Sequence, residues 1–462
     1  MLTKLRCKNF KAWKDTGEMR LAPLTVLFGK NSAGKTSISQ LLLLLQQTAE
    51  SPDRQRPLHL GDTRTAIDLG TYPDLVYGHE LDRALTFQLE WTLRDTLEVT
   101  DPISGQRWRG DRLRFESVLR ANGSRQPVVE SFQYELRMDG GTTVDVAMRQ
   151  PPPSSGKKKR QFELHSDGYP LKRQVGRPWP LPPPVRFYGF PDEATAHFQN
   201  TVFTADFVLE LERMLKSLYY VGPLREYPRP LYLWSGEIPD HVGIKGERAI
   251  EAILAAGDRR FNWRAKAKTK TLPELVATRL RDMGLIRQFE VRPLGEHRKE
   301  YEVLVQTGGK MPRVKLTDVG FGVSQVLPVI VECFYVPAGS IVIFEQPEIH
   351  LHPRVQADLA DVFVDAIKAR ENGASRDCQF IIESHSEHFL RRLQRRIAEE
   401  ELTPEQAALY FVDTGPSGAR LDELEVDSYG NIRNWPDGFF GDEMADLVAR
   451  AEAQARRSGR GQ

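Results

Sequence analysis

Leu24-Thr-Val-Leu-Phe-Gly29-Lys30-Asn31-Ser32-Ala33-Gly34-Lys35-Thr36-Ser37 is the stretch whose reading decides the fold. A short β-type run ends at a glycine, and a helical pattern over Thr36 to Thr48 follows. Gly29 to Thr36 fits GxxxxGK[ST] at every fixed position, and strand, glycine loop, helix is the order that makes such a match meaningful. In this geometry backbone N–H groups and the positive end of the helix surround phosphate oxygens. Lys35 reaches the terminal phosphates and Thr36 offers its hydroxyl to Mg²⁺. Gly29, Lys30, Asn31, Ser32, Ala33, Gly34, Lys35, Thr36 and Ser37 are therefore the candidate nucleotide contacts.

A phosphate loop needs an acid at the end of another strand to hold the metal. Ser340-Ile-Val-Ile-Phe-Glu345 supplies one, so Thr36 and Glu345 form the candidate metal pair. Downstream lie Gln346-Pro-Glu348-Ile-His350-Leu-His352-Pro353 and Ile381-Ile-Glu-Ser-His385-Ser386. A four-histidine metal site from His350, His352, His385 and His388 is a competing reading, although no cysteine or spacing motif accompanies it. Upstream, Leu316 to Pro328 carries Gly320, Gly322, Ser324 and Gln325 just before an apolar helical stretch.

These motifs together resemble the ABC-type ATPases, the class that includes RecF, SMC and OLD-family proteins. The resemblance implies ATP and Mg²⁺ as cofactors and places His385 near the γ-phosphate. It also sets Leu316 to Pro328 where the class carries its signature motif. Gly322, Ser324 and Gln325 would then face a nucleotide bound on the opposite protomer, which implies a homodimer or higher even oligomer closed around ATP. The segment departs from LSGGQ, so the position is better defined than the contacting atoms. Asn9-Phe10-Lys11 is similar to the Asn-Phe-(Lys/Arg) run of RecF-like heads and makes Lys11 a candidate contact. More specifically the chain resembles bacterial AAA-type ATPases with a C-terminal domain of unknown function. Five pieces carry this likeness: Asp68 to Val76, Gly222 to Arg225, Val319 to Pro328, Glu345 to Pro353, and Gly430 to Phe440.

One departure bears on mechanism. The class places a glutamate directly after the strand-end acid, and here that residue is Gln346, which positions water but cannot take its proton. Glu348 is the alternative general base, and hydrolysis is expected to be slow. The candidate catalytic set is Gln346, Glu348 and His385. Gln88 lies in a strand pattern and is a poor match for the Q-loop residue of the class.

Composition excludes several classes. Lys and Arg number 64 against 63 Asp and Glu, so only local patches would argue for a polyanionic partner. Three such patches exist, at 157–160, 259–270 and 391–396, with Phe261 and Trp263 placed to stack bases in the second. Cys7, Cys333 and Cys378 are far apart and fit a reducing cytoplasm rather than a disulfide framework. No apolar stretch is long enough for a leader or a membrane span, so no membrane partner is expected. Heptads do not persist, which excludes a long coiled-coil arm.

The expected fold is an α/β ABC-type head. Residues 1–95 form an N-terminal lobe with the phosphate loop and 96–220 a β-rich and helical insertion. Residues 221–415 form a C-terminal α/β lobe and 416–462 a family-specific segment. Alternation over 84–149 predicts antiparallel strands, and proline-rich 150–185 predicts exposed loops. The likeness favours a sensor or regulatory ATPase in a bacterial anti-phage or foreign-DNA defence system, acting with a separate effector protein. A RecF-like DNA-repair ATPase is the alternative.

Overall fold

The computed structural model describes residues 1–151, 161–176, 180–263, 268–309, 311–415, 418–436, 439 and 448–454. The strand Leu24–Gly29 is central to a six-stranded sheet. Its order is Leu218–Val221, Ile341–Glu345, Gln379–Glu383, Leu24–Gly29, Ala407–Gly415 and Gly418–Glu423. The first five are parallel and the last is an antiparallel edge. Their sequences are near-continuous apolar runs because both faces are covered. Val26, Val342, Phe344 and Ile382 enter one core, whereas Leu27, Ile341, Ile343 and Ile381 enter the other. That division is the period of two along each strand, seen from a sheet buried twice over.

On the first face lie helices Phe321–Tyr335, Pro353–Lys368 and Glu387–Ala398. On the second, helix Lys35–Glu50 joins the sheet to an eight-stranded antiparallel sheet. Leu41 to Leu45 are all buried there, as a helix between two layers requires.

The second sheet corrects the expected domain boundaries. Leu2–Phe10 pairs with Leu85–Thr100, and the strands Arg107–Ala121, Pro127–Met138 and Gly141–Arg149 follow in a meander. A cut at 95/96 falls inside one of its strands, and a cut at 220/221 falls inside Leu218–Val221 of the parallel sheet. Region 96–220 therefore continues a sheet that Leu2–Phe10 begins, with helix Thr204–Lys216 packed against Lys35–Glu50. The cut at 415/416 falls at the turn of a hairpin formed by Ala407–Gly415 and Gly418–Glu423. Within 150–185, expected to be loop, Glu163–His165 adds an edge strand and Phe162, Leu164 and Leu181 are buried. Tyr301–Val305 lies in a separate antiparallel sheet, apart from the parallel one.

The C-terminal segment docks through Gly430, Trp435 and Phe439. Gly430, at φ 78°, brings its carbonyl to the Gln394 amide at 2.8 Å, and a Cβ there would meet the Gln394 carbonyl oxygen at 2.2 Å. Phe439 packs edge-on against Phe28 and Phe411, with ring centroids 6.0 and 4.6 Å away. Trp435 sits against Phe439 and under the Arg391 guanidinium. Phe440 lies outside the described residues.

Candidate functional site

The loop from Gly29 to Gly34 turns tightly where the central strand gives way to its helix. Gly29 has φ 140°, and a Cβ on it would lie 2.0 Å from the Val412 carbonyl oxygen of the neighbouring strand. Gly34 has φ 106° and is walled by Ala12, Trp13 and Ala419. Only a residue without a side chain fits either position. Buried Trp13 donates its indole N–H to the Gly34 carbonyl at 3.0 Å, tying the loop to the antiparallel sheet. Lys30, Asn31 and Ser32 are exposed along the rim, whereas Ala33, Lys35 and Ser37 are buried. Lys30 pairs with Asp413 at 3.0 Å. Lys35 Nζ donates to the Gly29 and Lys30 carbonyls at 3.0 and 2.6 Å, so the ammonium lies across the mouth of the loop. Burial lowers its pKa, while nearby Glu383 and Glu348 oppose that shift.

Lys11 reaches the same helix by a route no pattern in its own segment shows. It sits at φ 49° and its side chain donates to Gln40 Oε1 at 2.7 Å. Its backbone N–H donates to the Leu75 carbonyl at 2.6 Å. Leu75 closes the single turn Tyr72–Leu75, which Thr71 and Asp74 cap reciprocally. The Asp68 to Val76 piece thus buttresses the segment that holds Lys11 and Trp13 beside the phosphate loop.

Glu345, Glu383 and Glu348 lie along the carboxyl edge of the parallel sheet. Glu345 and Glu383 are register partners at the ends of adjacent strands. Glu345 accepts the Tyr220 hydroxyl at 2.8 Å, and burial pushes its pKa up to about 7. Glu383 accepts the Thr36 hydroxyl at 2.8 Å, and burial raises its pKa too. Glu348 is turned inward by the Pro347 bend: one oxygen accepts the Ser384 hydroxyl at 2.9 Å and the His385 N–H at 2.6 Å. Its other oxygen is buried without a hydrogen-bond partner, and burial again raises its pKa. Gln346 occupies a left-handed conformation, φ 44°, and its N–H donates to the Glu383 carbonyl at 2.8 Å. Buried Arg225 spans this turn, donating to the Glu345 and Gln346 carbonyls at 3.3 and 3.4 Å, with its pKa lowered by burial to about 10. His385 is half-buried beside Gly29 and Lys35, where burial and the Lys35 charge hold its imidazole neutral.

This oxygen-rich set, a hydroxyl with strand-end carboxylates beneath a loop of N–H groups, fits Mg²⁺ and a polyphosphate. Lys35, Thr36, Glu345, Glu348 and His385 lie at this one sheet edge. The four-histidine alternative is not assembled: His350, His352 and His388 are exposed, and no cluster of three or more metal-ligating side chains occurs among the described residues. His350 instead packs on Phe321, and His352 caps the helix Pro353–Lys368.

The signature segment needs correction in detail. It starts the helix Phe321–Tyr335, but Ser324 is buried and its hydroxyl donates to the Phe321 carbonyl at 2.7 Å, while Gln325 is 1% exposed. Neither side chain faces outward in the protomer. Gly320, exposed, and Phe321 and Gly322, half-exposed, form the accessible tip. The basic patches change meaning as well. Phe261 and Trp263 are core residues, Trp263 lying under Lys270 and Arg279. Arg259 pairs with Glu371 at 2.6 Å. Arg392 and Arg396 pair with Asp358 and Asp361, and Arg391 and Arg395 with Glu387 and Glu399. Residues 157–160 and 264–267 lie outside the described residues. Gln88 bonds Glu116 on the antiparallel sheet and takes no part in the site.

Glu383, and Arg225 of the Gly222 to Arg225 piece, lie at this sheet edge although motif matching assigned neither a role. A signal for Glu383 was present, because Ile381-Ile382-Glu383 repeats the apolar-apolar-acid pattern of Ile343-Phe344-Glu345.

Residues 257–390 match the model of an AAA ATPase domain, and residues 402–449 match a family of proteins of unknown function, DUF3696. No curated protein matches the chain. Among solved structures it is similar to an SMC head bound to the C-terminal winged-helix domain of ScpA, at 10% identity and TM-score 0.43, covering 92% of this chain and 98% of that one. It is also similar to the SMC head domain from Thermotoga maritima, at 10% identity and TM-score 0.40, covering 92% and 99%. A third is the Pyrococcus furiosus SMC head with an extended coiled coil, bound to the C-terminal domain of ScpA, at 11% identity and TM-score 0.36, covering 92% and 96%. Among the described residues no helix is long and apolar enough to cross a membrane.

Proposed function

We propose that this ABC-type AAA ATPase binds ATP with Mg²⁺ and hydrolyses it slowly, two protomers pairing head to tail around the nucleotide. The observation that carries the reading is the convergence of Lys35, Thr36, Glu345, Glu348 and His385 on one sheet edge below the phosphate loop. Bound Mg²⁺ would supply charge neutralisation at the phosphates, with Thr36 and Glu345 as its holders. Glu348 is the better base: its carboxylate is buried at the site with one oxygen free of a hydrogen-bond partner, and burial raises its basicity. Gln346 would orient the attacking water. Half-buried His385, held neutral next to Lys35, is suited to donate to or accept from the terminal phosphate region.

Pairing of protomers is favoured by the accessible tip Gly320-Phe321-Gly322, whose backbone N–H groups at a helix start would approach the opposite nucleotide. Ser324 would act by holding that first turn. Sequence resemblance favours a sensor or regulator in an anti-phage or foreign-DNA defence system, with a separate effector. The repair alternative is weakened by the ion pairs that neutralise 391–396 and by burial of Phe261 and Trp263.

Lys35→Ala tests the reading. Each charge-assisted hydrogen bond is worth about 1.5–3 kcal/mol, so loss of the ammonium should weaken ATP binding by at least ~10-fold and remove turnover. Equilibrium binding of a fluorescent ATP analogue and phosphate release measure both. Unchanged binding and turnover in the variant would sink the proposal.

A further inference from the structure

Glu383 stands where no motif calls for an acid, yet it is the group that engages the candidate metal-binding hydroxyl. Thr36 Oγ1 donates to Glu383 Oε2 at 2.8 Å. The carboxylate is 5% exposed, and its main chain is pinned in the ladder beside Glu345 and by the N–H of Gln346. Adjacent strands lie about 4.8 Å apart, so two carboxylates side by side at their ends address one small volume. Lys35 is the cation nearest in charge balance to Glu383.

A threonine hydroxyl has one proton and two lone pairs. A proton left free to rotate competes with a metal for the oxygen. A proton committed to a fixed carboxylate leaves the lone pairs turned the other way and makes the oxygen a better donor. Outer partners of metal-binding groups act in this manner, and removing one typically costs about 10–100-fold in metal affinity.

We propose that Glu383 is the positioning residue of the magnesium site, fixing the Thr36 hydroxyl so that its lone pairs face the metal. The proposal rests on the reading of this site as a MgATP site. Glu383 touches neither phosphate nor water in this role; it acts through Thr36.

The test uses the full chain as unmodified protein, Glu383→Ala, Glu383→Gln, Thr36→Val and the double variant Glu383→Ala/Thr36→Val. Binding of a fluorescent ATP analogue is measured in EDTA and along a Mg²⁺ series, with thermal melting as a check on folding. Glu383→Ala is expected to raise the Mg²⁺ midpoint about 10–100-fold. Binding in EDTA and the melting midpoint should stay those of the unmodified chain. Glu383→Gln retains an oxygen that accepts the Thr36 proton and should raise the midpoint less. The double variant should be no worse than Thr36→Val alone, because both changes remove the same oriented oxygen. A Mg²⁺ midpoint within twofold of the unmodified value in Glu383→Ala overturns the proposal, as does an equal loss in EDTA or strict additivity in the double variant. Absence of nucleotide binding by the unmodified chain would instead overturn the MgATP reading on which this one rests.

Discussion

Two regions of the molecule concentrate charge, and they handle it in opposite ways. Across the helices Pro353–Lys368 and Glu387–Ala398, Arg392 and Arg396 meet Asp358 and Asp361 with every charge answered, and hydrogen bonding to Asp361 raises the Arg396 pKa further. At the sheet edge, Glu345, Glu348 and Glu383 are buried with raised pKa values, and Lys35 and Arg225 are lowered. The first arrangement is complete as it stands. The second is a set of groups whose charged forms burial disfavours, a cost that a cation and a polyphosphate would offset. A run of arginines in sequence is thus a poor sign of a polyanion site here, because partners on a neighbouring helix answer its charge.

The comparison breaks most visibly at Glu348. Glu348→Gln keeps the shape and removes the basic oxygen, so kcat for ATP hydrolysis should fall about 10²–10⁴-fold while nucleotide binding persists. Phosphate release at the unmodified rate would return the role of base to another group.

Glu332 sharpens it from the other side. It is wholly buried in the helix Phe321–Tyr335, accepts the Val242 N–H at 2.9 Å, and has a pKa raised by burial to about 8. His241 Nδ1 lies 3.8 Å from its carboxylate, and burial lowers the His241 pKa. Because the folded pKa exceeds the unfolded value of 4.5, its contribution to stability is whole below pH 4.5 and is lost as pH rises towards 8. Glu332→Gln should flatten that part of the pH–stability curve, worth about a few kcal/mol, and leave turnover unchanged. Urea denaturation across the pH range reads this directly. A variant curve parallel to the unmodified one would remove Glu332 from the account.

The smallest effect is expected in the balanced cluster. Asp361→Ala leaves two partly buried guanidinium groups short of a partner and should cost about 1–3 kcal/mol in the urea midpoint. DNA binding should not appear, since the arginines retain Asp358 and Glu399. Salt-dependent DNA binding gained by this variant would reopen the basic-patch reading.

The sequence made the phosphate loop and the Glu345 strand legible because each is a contiguous pattern whose chemistry is local. Glu383 repeats the apolar-apolar-acid pattern, but its place comes from lying beside Glu345 across a ladder that joins residues 38 apart. The arginine run misled for the same reason: Asp358 and Asp361 lie on another helix, and Glu371 is 112 residues from Arg259. Ser324 was read by analogy to a motif that fixes position but not the direction of the side chain. The boundaries at 95 and 220 failed because alternation reveals a strand but not which sheet receives it.

Phe439 presses its ring on Phe28, the last apolar residue before Gly29, and Gly430 is clamped to the helix that follows His385. The C-terminal segment therefore packs against the strand that leads into the phosphate loop and against the helix that follows His385. A protein that grips the chain after residue 430 would have leverage over the pocket without entering it. A rearrangement at the phosphate loop would thus be felt first at Phe439, and one at the following helix at Gly430.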